Sequence, residues 1–221
     1  MMPRKTSLLF ALLLAAVVPS VHAVEFSPQE LSRATALQQR LVTLDSHLDT
    51  PENLHRAGFD ILQAHPDNAL SQVDLPRMRQ GAFDGGFFAI YTEQGDRTPQ
   101  AWAADRDAGL KRLVEIREML AAHPQQFGLA LSADDAARIK RAGKRVVYIS
   151  MENASPLVKD PGLLGFYQGE GLRLLSLVHF VNNELADTLG NVIGEIDVNP
   201  VIAGPDGCRA VDALVVPRTE G

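Results

Sequence analysis

The sequence predicts an α/β fold around a mainly parallel sheet, with enough strand and helix units for only half of a TIM-like barrel. Three observations carry this prediction. Apolar strand-like runs alternate with amphipathic helical stretches, the connections have the length of crossover units, and polar residues gather at the downstream ends of the runs. In parallel α/β folds those ends are where chemistry collects.

Pro28 to Arg40 reads as a helix leading into the first strand, Leu41 to Asp49. The two-residue period of a strand places Asp45, His47 and Asp49 on one face and Leu44 and Leu48 on the other. Leu75 to Gly81 reads as a short connector, and Asp84-Gly85-Gly86 turns the chain into a second buried strand, Phe87 to Tyr91. From Asp105 to Ala122, Leu110, Leu113, Val114, Ile116 and Leu120 recur at helical spacing, with Lys111, Arg112, Glu115 and Glu118 mostly elsewhere, which makes this the crossover helix. Ser132-Ala133-Asp134-Asp135 is the capping signature of the next helix, and Gly143 is placed to close it. The third strand, Val146 to Met151, ends in Glu152, and a fourth, Leu172 to Val178, ends in His179.

His47, Asp49 and Glu152 thus stand at the downstream ends of two strands, and imidazole with carboxylates suits zinc or a related divalent ion. His47 and Asp49 share one ion on this reading, and Glu152 bridges to a second. Such a pair of ions activates water and polarises a scissile carbonyl, with His179 left to donate a hydrogen bond to the oxyanion or a substrate carboxylate. Each residue also has a structural explanation: Asp49 before Thr50-Pro51 as a turn residue, Glu152-Asn153 as a helix cap, a strand-end histidine as a hydrogen-bonding group. His55, His65 and His123 fall in loop-like or helix-terminal surroundings and read as surface residues.

Composition narrows the partners. A formal charge of −6 and the lack of any basic run argue against nucleic acid. Cys208 is the only cysteine, so no internal disulfide can form. Residues 1–23 read as a secretory signal, with Arg4 and Lys5, an apolar stretch from Leu8 to Val18, and the cleavage pattern Val21-His22-Ala23. The mature chain is then exported, to a periplasmic or extracellular location; the other reading of this stretch is an uncleaved membrane anchor.

Several motifs together resemble the membrane (renal) dipeptidase family of zinc peptidases. They are Leu44-Asp-Ser-His-Leu-Asp-Thr-Pro51, Gln72-Val-Asp-Leu-Pro-Arg-Met78, Gly85-Gly-Phe-Phe-Ala89, Ser150-Met-Glu-Asn-Ala-Ser155, and Gly171 to His179 with Asn182-Asn183. The resemblance runs from about residue 38 to 188 and keeps the order of the family's motifs. It implies an α/β barrel of the metal-dependent hydrolase type and hydrolysis of dipeptides with two zinc ions. His47 and Asp49 would bind one zinc, Glu152 would bridge both, and His179 would contact the substrate or the tetrahedral intermediate. Members of the family supply two later histidines to the second zinc, but here no histidine follows His179, so that second site is incomplete.

The segment 190–221 resembles something else: Gly194-Glu-Ile-Asp-Val-Asn-Pro200, Gly204-Pro-Asp-Gly207 and Ala210-Val-Asp-Ala213 are similar to the end of the ATP-grasp domain of ADP-forming acyl-CoA synthetases. That resemblance would put magnesium at Asn199 and Asp212. The segment itself reads as a short β-hairpin, joined near residue 189 to the dipeptidase-like part, 24–189. Two other functions follow: an inactive fragment that binds metal or a partner, and a remnant of a CoA ligase.

Removing 23 of 221 residues leaves 198, below the roughly 250 typical of an eight-stranded barrel. Half a barrel leaves open strand edges and an apolar face, with Leu172, Leu174, Leu175 and Leu177 near it. The hairpin would cover one edge, or two copies would pair as a homo-oligomer.

Overall fold

A computed structural model describes residues 26–65, 71–93, 95–158, 160, 162–180 and 183–185, with the backbone of four further strands between 193 and 217. The signal segment 1–23, the joint near 189, and Asn199 and Asp212 lie outside the described residues.

Helix α1 spans Pro28–Arg40, capped by Ser27 and Glu30 in a reciprocal capping box, and it buries none of its residues. Strand β1 is Leu44–Leu48, shorter than the predicted run. A 3-10 turn, Thr50–Asn53, follows. Leu75–Gln80, expected as a connector, is a helix, α2. Its cap is the buried Asp74, which accepts from Arg77 N and His65 N and pairs with the Arg77 guanidinium at 2.7 Å. Burial pushes the Asp74 carboxyl up, but those donors outweigh it and hold it low.

Strand β2 (Gly85–Tyr91), helix α3 (Pro99–Ala122), strand β3 (Phe127–Leu129), helix α4 (Ala133–Arg141) and strand β4 (Arg145–Glu152) come next. Helix α5 (Leu163–Gly169) leads to strand β5 (Leu172–Leu175). Helix α3 begins six residues before the predicted Asp105, at Pro99 behind the Thr98 cap. Its core face is Leu113, Ile116 and Met119, while Val114, expected inside, is 52% exposed. Glu115, expected outside, is buried because Arg112 Nη1 donates to it at 2.6 Å.

The five strands form one parallel sheet, in which β1 pairs with β2, β2 with β4, and β4 with both β3 and β5. Strand β3 has no counterpart among the predicted strands. It is three residues long, and it pairs with the start of β4 while β5 pairs with its end. Alternation along β2 and β4 divides the core into two faces. Phe88, Ile90, Val147, Ile149 and Met151 pack with Leu113, Ile116 and Met119 of α3. On the other face Val146 and Tyr148 pack with Ala136 and Ile139 of α4, and Phe87 stacks on Tyr148 at 4.6 Å. Leu172 is buried, and Leu174, Leu175 and Leu177 are half-buried, so the fourth strand is better covered than an open edge implies.

A register shift lies between Asp45 and Leu48, where β1 spends one more residue than β2. Leu44 and Leu48 therefore do not share a face as the simple alternation predicts: Leu44 is 38% exposed and Leu48 buried. The outer edge of β1, with α1, leaves Leu31, Leu37, Leu41, Val42 and Leu44 exposed.

The tail is more than one hairpin. Strand β6 (Ile193–Val198) pairs antiparallel with β9 (Ala213–Pro217), and β7 (Val201–Gly204) pairs antiparallel with β8 (Gly207–Ala210). Pro200, which lacks a ladder donor, separates β6 from β7 in sequence. The backbone of β7 lies beside β5 and α4.

Candidate metal centre

The ends of β1, β4 and β5 bring the predicted residues together. His47 Nε2 lies 3.0 Å from Asp49 Oδ1 and 3.2 Å from Glu152 Oε2, and the three side chains offer ligand atoms within 4.8 Å of one another. His179 Nε2 lies 3.4 Å from the other oxygen, Glu152 Oε1. Glu152 therefore faces a histidine with each oxygen.

Local structure explains each placement. The register shift in β1 aims His47 at the end of β4, and the backbone N–H of His47 donates to Asp45 Oδ1. Asp49 does not continue the strand as expected; it sits at the start of the 3-10 turn and converges on His47 from there. Arg112 of α3 holds that turn from behind, donating from Nη1 to Pro51 O at 2.6 Å with Glu115 as its counter-charge. Glu152 is the last residue of β4, opposite Tyr91 of β2. His179 lies four residues beyond the end of β5, with the Tyr91 ring set edge-on to its imidazole at 5.4 Å.

The surroundings are anionic. Burial pushes the Tyr91 hydroxyl up, and the negative charges of Glu93, Glu152, Glu52 and Asp49 push it the same way. Such a field favours a cation. The donor set fits a divalent one, because N and O ligands bound at about 2.1 Å around a tetrahedral ion stand roughly 3.4 Å apart, close to the observed 3.0 and 3.2 Å.

The other histidines among the described residues behave as structural residues. His55 pairs with Glu118 at 3.1 Å, His65 stacks on Phe59 and contacts Asp60 O, and His123 closes α3. A cavity of about 250 Å³ lies between the 54–61 loop and the end of α3, and none of the four candidate site residues lines it. The centre itself is open, with the Asp49 side chain 62% exposed.

Two buried amides lie behind Glu152, and Asn153, expected as part of a helix cap, instead donates to Thr92 O. Asn153 and Asn183 are both buried and hydrogen-bond to each other at 3.1 Å. In the sequence Asn153 directly follows Glu152, and Asn183 stands four residues after His179.

A family model described as membrane dipeptidase, peptidase family M19, matches residues 31–198. The chain belongs to this family. The match continues past the expected joint near 189 and includes β6. Among curated relatives, dipeptidase ataJ of Aspergillus terreus is 30% identical over 170 residues, covering 72% of this chain and 40% of its own length. Among solved structures, the probable dipeptidase PvdM of Pseudomonas aeruginosa has a TM-score of 0.65 at 26% identity, covering 72% of this chain and 40% of that one. A dipeptidase described as a metallopeptidase of the same family has a TM-score of 0.52 at 25% identity, covering 62% of this chain and 42% of that one. The chain thus spans less than half the length of these relatives. The partial α/β barrel and the M19 assignment agree with the resemblance read from the motifs.

Proposed function

We propose that this chain carries the first metal site of a zinc-dependent hydrolase of dipeptides. The observation behind it is the convergence of His47, Asp49 and Glu152 from two strand ends into one N/O donor set. Zinc bound there supplies Lewis-acid polarisation of a peptide carbonyl and a lowered pKa for water. The chain's own groups do the rest. His47, Asp49 and Glu152 would hold the ion, and Glu152 also faces His179. The His179 imidazole donates to the substrate carboxylate or to the developing oxyanion.

The open setting of Asp49 favours a second reading: a fragment that binds metal without turnover. The reading includes export, from the apolar segment 8–18, to a periplasmic or extracellular location, with membrane association if that segment is retained. Among the described residues, no helix is long and apolar enough to cross a membrane. It also includes pairing of two copies across the exposed α1 and β1 edge.

The test is zinc stoichiometry by elemental analysis on wild type, His47→Ala and Asp49→Ala, with a dipeptide panel assayed with and without added zinc. Loss of one zinc in both variants is expected. Unchanged zinc content in either variant removes the first ligand pair, and zinc uptake without hydrolysis selects the second reading.

A further inference from the structure

We infer that Asn153 and Asn183 form a positioning clamp that sets the distance between Glu152 and His179, an inference that rests on the metal reading above. The strand ends that carry the centre are separate pieces of chain, and nothing in a parallel sheet alone fixes the loops beyond them. Here two buried carboxamides tie those loops together. Asn153 follows Glu152 directly and takes a left-handed conformation, φ 66°, which few residues other than Gly, Asn and Asp accept. That turn swings its side chain into the interior, where Nδ2 donates to Thr92 O at 2.9 Å, just past the end of β2.

The Asn153 Oδ1 accepts from Ser155 N at 3.3 Å and from Asn183 Nδ2 at 3.1 Å. Asn183 Nδ2 also donates to Leu177 O at 2.7 Å, two residues before His179. The backbone repeats the connection: Ser176 N donates to Met151 O, Ala154 N to Leu177 O, and Asn153 N to the Ser176 hydroxyl. Ser155, in turn, donates from its hydroxyl to the buried carboxylate of Asp105 on α3.

The loops after β2, β4 and β5 are therefore fastened through one amide pair. The first two follow directly on Tyr91, which lies beside His179, and on Glu152, and the third carries His179 itself. Buried polar side chains cost free energy unless satisfied, and this pair is satisfied only when the three loops are in register. Its demand for partners thus becomes a constraint on where Glu152, a ligand, stands relative to His179. Groups outside the ligand shell that orient ligands commonly change metal affinity by about 10–100-fold when removed.

The test uses the full chain. Zinc affinity is measured by competition with a chromophoric chelator, and the visible spectrum is recorded with cobalt(II) in place of zinc. The proteins are wild type, Asn153→Gly, Asn183→Ala and His47→Ala, each checked by far-ultraviolet circular dichroism and a thermal melt. Asn153→Gly keeps the left-handed backbone and removes the amide. Both clamp variants are expected to bind zinc about 10–100-fold more weakly with an altered cobalt spectrum. Should Asn153→Gly not fold, Asn153→Asp decides, since it keeps the size, the turn and the acceptor oxygen but loses the donation to Thr92. A lower melting temperature with wild-type zinc affinity and cobalt spectrum overturns the clamp while His47→Ala still loses zinc. Zinc retained in His47→Ala overturns the metal reading itself.

Discussion

Gly86→Ala tests how the sheet places His47. Gly86 lies opposite Asp45 in the β1–β2 ladder, and a Cβ added there would sit 2.3 Å from Asp45 O, 3.0 Å from its N and 3.1 Å from its C. All three atoms are backbone, so no rotamer change relieves the overlap. Reaching the 3.4 Å of ordinary contact requires β1 to retreat by about 1 Å. Ladder bonds of ordinary length, about 2.9 Å, would then open to roughly 3.9 Å, outside hydrogen-bond range. Losing two of them costs about 1–3 kcal/mol.

The same retreat carries His47 away from Glu152, now 3.2 Å distant. Zinc binding should fall by about 10–100-fold. Chelator competition reads the affinity and urea unfolding reads the stability. Gly85→Ala provides the severe reference, because its Cβ would overlap Val146 O on the central strand; it should unfold the chain. A Gly86→Ala protein with wild-type zinc affinity and stability would show that close approach of β1 to β2 does not place His47.

Three further outcomes can be checked. Phe88→Ala empties a fully buried site on β2 and should cost about 3–5 kcal/mol in urea unfolding; a loss below 1 kcal/mol contradicts the packing described. Asp135 accepts from Leu131 N, Ser132 N and Arg138, and the Arg138 hydrogen bond is the largest cause holding its carboxyl down at about 2. Because the folded value lies below the unfolded one, its stabilisation is present above the ordinary carboxylate range and disappears as pH falls toward 2. The stability difference between wild type and Asp135→Asn should therefore shrink over that window, and a pH-independent difference contradicts it. Sedimentation velocity should show self-association that Leu37→Lys with Val42→Lys reduces; a monodisperse monomer with a cooperative melt refutes pairing across the α1–β1 edge.

Much of the architecture was readable because it depends on local patterns. The Pro28–Arg40 helix, the capped α4 helix, and strands β2 and β4 follow from caps, periodicity and apolar runs. Where partners override the local pattern, the structure departs from it. Leu75–Gln80 became helical around a buried Asp74 that pairs with Arg77, and Glu115 went inside because Arg112 accompanies it. The three residues of β3 carry too short a pattern to register, and only the edge of β4 makes them a strand.

His47, Asp49, Glu152 and His179 were visible as polar residues at the ends of apolar runs, and the family motifs were visible as words in the chain. Their distances were not, because each depends on pieces of chain far apart in sequence. The extra residue in β1 set the direction of His47, the 3-10 turn brought Asp49 back to it, and the buried amides joined the loop of His179 to that of Glu152. Residue identity thus determined which chemistry was available. Strand register and long-range hydrogen bonds decided that the ligands meet, since a side chain's position relative to another strand is a property of the pairing and not of either segment alone.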